Sequence, residues 1–310
     1  MEEYLNASQF TSTKGSVITI GTFDGVHLGH KEIIKRLTQA AAIENLSSVV
    51  LTFFPHPRMV LQKNSDIKLI NTIGEKKQLL DNAGVDHFVV EPFTYEFSRM
   101  TAEEYVRDLL VGKLKAKKII IGYDHRFGRN RNADINDLIA FGKEYNFTVE
   151  QISAQELDHV AISSTKIRNA LLDGDIATAN QYLGYNFNIT GTVVTGKALG
   201  RTINYPTANL QIKQSFKLVP KNGVYVTSAT INGTLQYGIT SIGTNPTVGG
   251  TEKTIETYFL DFDGNLYNTE LTIIFLSHIR NEETFSTIEI LKQAIQQDEI
   301  AARKFIENIE

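Results

Sequence analysis

The sequence predicts an α/β domain with a doubly wound parallel sheet over residues 1–184. An antiparallel β-barrel with a terminal helix follows over residues 185–310. Three observations carry this. The 310 residues are too many for one ordinary core, so two domains are the default. Up to about residue 185, short β-branched runs alternate with amphipathic runs of helical period, the pattern of a parallel sheet covered on both faces. Beyond it, strand-like runs follow one another with turn signals between them, and a long amphipathic stretch ends the chain.

In chain order, "SVITIG" (16–21) reads as a strand and "HKEIIKRLTQAAAIE" (30–44) as an amphipathic helix. "SSVVLTFF" (47–54) is a strand, and "TIGEKKQLLDNAG" (72–84) is a helix closed by Gly84. "VDHFVVEPF" (85–93) is a strand, and "TAEEYVRDLLVGKL" (101–114) is a helix capped by Thr101. "AKKIIIG" (116–122), "ADINDLIAFGKEYN" (133–146) and "FTVEQIS" (147–153) repeat strand, helix, strand. A short helix within "LLDGDIATANQYLGYN" (171–186) joins the halves. The second half carries strands in 188–198, 223–243 and 254–279, with turns at Asn232-Gly233 and Asp263-Gly264, and its last helix lies in 286–309.

Composition excludes several classes. The chain is 42% hydrophobic and 21% charged, as soluble globular proteins are. The net charge of −4 argues against a surface built to hold nucleic acid, though not against a local basic site. There is no cysteine, hence no disulfide, thiolate metal site or cysteine nucleophile. The acidic, polar start "MEEYLNASQF" is no signal peptide, and the apolar runs are far short of the ~20 residues of a membrane helix. A cytoplasmic protein without membrane or nucleic-acid partners is expected; its oligomeric state is not readable.

The first chemical constellation is "GTFDGVHLGH" (21–30), where a strand hands over to a helix. Ligands of open α/β sheets bind beyond the C-terminal strand ends, and a helix N-terminus there suits phosphate. Gly21 and Gly25 permit a tight turn, and His27 and His30, three apart, share a face of the first turn. Two imidazoles there make a phosphate clamp. The spacing also suits a metal, which would need a third and fourth ligand, or a plain surface turn.

The decapeptide resembles the signature of adenylyl- and cytidylyltransferases, in which the histidine pair holds nucleotide phosphates. That resemblance extends to "ISSTKIR" (162–168), alone only a helix cap, here looking like a second jaw on the triphosphate through Ser163, Ser164, Thr165 and Arg168. It implies phosphate-binding roles for Gly21, Phe23, Asp24 and Gly25 as well. The chemistry suits these residue types. The attacker in nucleotidyl transfer is already an anion, so the site must offset charge and align the attack rather than remove a proton. A Walker-type G-x-x-x-x-G-K-[ST] string is absent. "GYDHRFGRNR" (122–131) resembles the G-x-D-F-x-F-G segment of bacterial FAD synthetases, implying flavin contacts for Asp124, Arg126 and Phe127, with His125 where the family usually has Phe. The lysines before it, Lys113, Lys115, Lys117 and Lys118, read as a solvated face. In "FFPHPR" (53–58), His56 and Arg58 either face the substrate or shape a loop.

The second constellation is "GTVVTGKALGRTINYPTANL" (191–210). Its Gly191, Gly196 and Gly200 are spaced for a loop that approaches a phosphate, a weak signal by itself. "PTAN" (206–209) resembles the Mg-ATP motif of riboflavin kinases, which implies that Thr207 and Asn209 hold Mg²⁺ and that Gly196, Gly200 and Arg201 bind ATP. "NGVYVT", "SIGTNPT", "IETYFLDFDGNLY" and "IRNEETF" continue the likeness; it implies that Glu256 is the catalytic base and Tyr258 a flavin contact. An alcohol attacking ATP benefits from a carboxylate that takes its proton. Without those flanking strings, Glu256 would read as an exposed strand residue. Asn204 and Tyr205 replace the family's usual Gly and Phe; if position 204 needs a positive φ, Asn is the next best residue.

The resemblance spans the chain in order. It is to the bacterial bifunctional riboflavin kinase/FMN adenylyltransferase (FAD synthetase) family. It implies an enzyme with Mg²⁺ as cofactor, ATP as co-substrate and FMN and FAD as products. Residues 185–310 would phosphorylate riboflavin, and residues 1–184 would adenylylate FMN. Alternatives are an adenylyltransferase whose barrel only senses flavin, a nucleic-acid-associated module on the same fold, and another substrate for the first half.

Overall fold

The computed structural model describes residues 1–63, 65–123, 125–153, 162–196, 200, 203–247 and 250–309, with the backbone alone at 245–247 and 250–252. Asp124 and Arg201 lie outside the described residues, as does part of each Gly-rich loop at 197–204 and 241–254. The chain forms two compact units, Met1–Ser164 and Thr165–Glu310.

In the first unit, the described strands are β1 (Glu2–Tyr4), β2 (Ser16–Ile20), β3 (Ser47–Phe54), β4 (His87–Pro92), β5 (Ala116–Gly122) and β6 (Thr148–Ile152). They lie in the order β1-β4-β3-β2-β5-β6, and every pairing is parallel. Successive residues feed opposite cores. Ile18, Leu51 and Ile119 pack with Val106, Leu109 and Leu110. Val17, Val50 and Ile120 pack with Ile34 and Leu37 of α1 (Leu28–Glu44) and Leu80 of α3 (Ile73–Asn82). Burial on both faces is why these strands are continuous apolar runs. The short helix α2 (Pro57–Leu61) follows β3.

Strand β1 is not legible in the sequence. Three residues, two of them exposed glutamates, carry no period, and the strand exists because Glu2–Tyr4 pair with His87–Val89. Thr101 caps its helix through a capping box with Glu104. After one turn, α4 (Ala102–Glu104), the chain widens to a π-helix over Tyr105–Lys113. Tyr105, Val106, Leu109, Leu110 and Leu114 all remain buried against the sheet. Helix α5 (Ile135–Tyr145) precedes β6.

The topology sets the functional edge. The chain runs outward from β2 through β3 to β4, then returns to the other side of β2 for β5 and β6, so the switch point lies between β2 and β5. Because all strands are parallel, segments 21–27, 55–58 and 125–133 follow β2, β3 and β5 at one edge.

The second unit begins with α6 (Ser164–Asp173), whose first residue closes the first unit, and α7 (Ile176–Leu183). The described strands β7 (Asn188–Val194), β8 (Ala208–Gln211), β9 (Gly223–Ile231), β10 (Thr234–Thr247), β11 (Gly250–Phe259) and β12 (Glu270–Asn281) form a closed antiparallel barrel, order β10-β11-β8-β7-β12-β9. Asn232 and Gly233 both have positive φ, 51° and 81°, as a two-residue hairpin turn requires. The expected turn at Asp263-Gly264 is instead a longer connection between Phe259 and Glu270, with positive φ at Asp261 and Asn268. The terminal helix α8 (Ile288–Glu307) packs Ala302, Phe305 and Ile306 on Val224, Val226, Ile239 and Tyr258.

Candidate active sites

The turn after β2 is strained. Phe23 and Val26 have φ of 44° and 35°, left-handed values that a bulky or β-branched side chain rarely adopts. Such residues cost roughly 1–3 kcal/mol each and persist only where their surroundings enforce them. Here the Asp24 carboxylate accepts from the Ile70 amide at 2.9 Å and the Asn71 amide at 3.2 Å. The Thr22 carbonyl accepts from Thr52 Oγ1 at 3.2 Å and from the Lys76 ammonium at 2.6 Å. Ser164 Oγ donates to the Asp24 carbonyl at 2.8 Å, so the second motif braces the first across 140 residues.

The turn ends on the histidines. His27 is the N-cap of α1 rather than a residue of its first turn, because the helix starts at Leu28. Its Nδ1 accepts from the His30 amide at 3.4 Å, which leaves Nε2 as the ring nitrogen that can donate. The two imidazoles stack at 3.6 Å between centroids, 18° apart in plane. Phe23, buried beneath Gly21, meets His30 edge-on at 5.1 Å. His30 Nδ1 is buried without a partner. Burial, the neighbouring His27 and Lys76 hold the His30 pKa well below the usual imidazole range, so the ring is neutral near pH 7.

At the end of β5, Phe127 is buried, packs 5.9 Å from Tyr105 and bridges Ala133, so it closes the loop rather than lining its surface. His125 stacks parallel to Phe127 at 6.1 Å, keeping an aromatic ring where the family has one. Arg126, Arg129 and Arg131 are exposed at this edge. His56 caps α2, with Nδ1 accepting from the Arg58 amide at 3.1 Å. The sequence reading missed two features here. One is the half-buried aromatic group Phe53, Phe93 and Phe97, with centroids 5.6–5.8 Å apart. The other is Lys76, one of two adjacent lysines on a helix whose pattern does not say which turns inward. Thr165 and Arg168 lie on α6, exposed and half-buried respectively, within the second unit.

In the barrel, register does the assembly. Glu256 of β11 stands opposite Asn209 of β8. Thr207 Oγ1 donates to Glu256 Oε2 at 3.2 Å, and Asn209 Nδ2 donates to Thr207 Oγ1 at 3.5 Å. Glu256 and Tyr258 share the face on which α8 packs, the outside of the barrel, while Ile255, Thr257 and Phe259 are buried on the other face. Tyr258 meets Tyr205 edge-on at 5.0 Å. Burial and the Glu299 carboxylate of α8 push both phenols up. The spaced glycines admit protein, whatever else they approach: a Cβ at Gly196 would lie 2.4 Å from the Asn209 side chain, and one at Gly200 2.1 Å from the Tyr205 carbonyl. Asn204 has φ 65°, the conformation for which Asn stands in for Gly.

The arrangement thus presents two stacked imidazoles at a sheet edge in one unit, with His30 neutral. In the other it presents a carboxylate beside a hydroxyl and an amide. Comparisons with known proteins divide the chain in the same way. The FAD synthetase family profile matches residues 9–166, and the riboflavin kinase profile matches residues 183–306. The bifunctional riboflavin kinase/FMN adenylyltransferase of Escherichia coli K12 is 36% identical over 94% of this chain and 93% of its own length. That of Pseudomonas fluorescens is 38% identical over the same shares. A crystal structure from Streptococcus pneumoniae, described as a macrolide-efflux protein, is 31% identical and superposes with a TM-score of 0.88 over 97% of this chain and 98% of its own.

Proposed function

The chain belongs to the bifunctional riboflavin kinase/FMN adenylyltransferase family, and from that premise we propose how its residues divide the two reactions. It converts riboflavin and ATP to FMN and ADP, then FMN and ATP to FAD and pyrophosphate. The observation that carries the division is that each half matches its own family profile and gathers its own polar cluster. We assign adenylylation to residues 1–184 and phosphorylation to 185–310; the profile matches, ending at 166 and starting at 183, support a boundary in this interval.

In the barrel, Glu256 takes the proton of the ribityl hydroxyl as its oxygen attacks the γ-phosphorus of ATP and ADP leaves. Tyr258 and Tyr205 form an aromatic wall for the flavin. Thr207 and Asn209 would hold a Mg²⁺ ion. Their neutral oxygens suit a hard cation shared with nucleotide phosphates, and among the described residues no cluster of three His, Cys, Asp or Glu side chains offers a metal a fuller protein shell. Bound with ATP, the ion would neutralise phosphate charge.

In the first unit, an FMN phosphate oxygen attacks the α-phosphorus of ATP and pyrophosphate departs. His27 and His30 donate hydrogen bonds to nucleotide phosphates, with Ser163 and Ser164 as further phosphate contacts. Phe53, Phe93, His56 and Arg126 lie at the edge where flavin would bind. No base is required, because the attacking phosphate oxygen is already an anion. A cytoplasmic location is part of the same reading.

The efflux description of the streptococcal structure is not carried over, because these clusters suit phosphoryl and nucleotidyl transfer. A sensing, non-catalytic barrel is not favoured, since Glu256, Thr207 and Asn209 are assembled. The test is to incubate the protein with riboflavin, ATP and Mg²⁺ and separate the flavins over time. FMN followed by FAD is expected. FAD formed only from added FMN would return the barrel to a sensing role.

A further inference from the structure

Lys76 is the buried charge that the mechanism above leaves unused. It is 4% exposed, while its neighbour Lys77 reaches solvent and pairs with Glu3 at 2.7 Å. It is the fourth residue of α3, near the positive end of the helix dipole, where a lysine is disfavoured. A buried ammonium at such a position is costly, and the fold holds it on one acceptor of the decapeptide, the Thr22 carbonyl, 2.6 Å away. The adjoining residues Phe23 and Val26 carry the backbone strain. The groups facing this ammonium are the Asp24 carboxylate, which favours its charge, and His30, whose protonation it opposes; His27 stacks on His30 from the N-cap.

We propose that Lys76 is a positioning residue for adenylyl transfer: its ammonium pins the strained turn that carries His27 and His30 and sets a positive charge beside His30. The inference rests on the assignment of FMN adenylylation to this unit. Strain that would relax if the Thr22 carbonyl were released is held by Lys76, Thr52 and the amides on Asp24 together. The same ammonium opposes protonation of His30, after burial and the neighbouring His27. Burial brings the Lys76 pKa down to about 8, within reach of a pH profile.

The experiment compares wild type, Lys76→Arg, Lys76→Gln and Lys76→Met in the full chain. Initial rates of riboflavin phosphorylation and of FMN adenylylation are measured in parallel, together with thermal midpoints and an NMR titration of the histidine ring protons. Lys76→Met and Lys76→Gln are expected to lower adenylylation at least ~10-fold, the scale of a misplaced catalytic group. Phosphorylation should stay within about twofold, since the two reactions use separate clusters. The His30 midpoint should rise in both variants, while Lys76→Arg retains more rate than Lys76→Gln. In wild type, kcat/KM for adenylylation should fall as pH passes about 8, and that limb should be absent in Lys76→Arg. Wild-type adenylylation by Lys76→Met, or an unmoved His30 midpoint, overturns the proposal. So does a lowered thermal midpoint with both activities reduced alike, which assigns Lys76 to folding alone. If a variant does not fold, the wild-type pH limb and Lys76→Arg still decide. His30→Ala is the control on the underlying assignment: undiminished FAD formation there refutes the site itself, whatever Lys76 does.

Discussion

His30 shows what a single residue contributes. Its imidazole sits between His27 and Phe23 with Nδ1 buried, so it can serve as a neutral donor without rearranging. His30→Ala should lower FAD formation by at least ~10²-fold, the scale of losing one transition-state contact, and leave FMN formation intact. Glu256→Gln should do the reverse. Initial rates of the two steps check both. The same ring makes stability depend on pH. Its native pKa is depressed below the unfolded value, so the unfolded chain binds the proton first. Stability should therefore fall as pH drops from about 6.5 towards the native value. His30→Gln should flatten the fall, as read by denaturant midpoints across that window. Gly196 is a second residue-scale case. A methyl group there meets the Asn209 side chain at 2.4 Å, so Gly196→Ala should slow phosphorylation and spare adenylylation. Equal rates in that variant would show that Asn209 can move aside without cost.

Among the elements, strand ends and turns carry the chemistry, and their legibility varied with the range of the forces that form them. The capping box at Thr101 and the positive φ at Asn204 follow from local rules and were readable. The π-helical stretch after Glu104 carries no local signal, and the strand at Glu2–Tyr4 depends on its pairing with His87–Val89, distant in sequence. The loop after β5 depends on one such approach. Gly128 has φ 70°, and a Cβ there would lie 2.9 Å from the Ala102 backbone. Gly128→Ala should cost about 1–3 kcal/mol by overpacking and backbone strain together. A thermal melt should show the loss, with adenylylation affected more than phosphorylation because the loop borders the flavin edge. Asn204→Gly should melt near wild type, whereas Asn204→Val should melt lower.

For the whole molecule, two units with separate clusters make two half-enzymes. Mixing His30→Ala with Glu256→Gln should restore conversion of riboflavin to FAD, because FMN made by one chain can be used by the other. Restored FAD formation measured by chromatography supports independent sites, and accumulation of FMN without FAD in the mixture contradicts them. The sequence by itself determined the two-domain architecture, the family and the residues of both motif sets, since hydrophobic period, turn chemistry and contiguous motifs are written in local order. Only the tertiary structure decided which residues support and which are presented. Asp24 and Phe23, read as ligand contacts, are turned inward to hold the turn, and Phe127 is turned inward to close its loop. Lys76, which the sequence reading missed, is the one of two adjacent helix lysines that is buried against Thr22. Burial and side-chain direction are set by elements tens of residues away, such as the amides of Ile70 and Asn71 or the hydroxyl of Ser164, and no local pattern encodes that proximity.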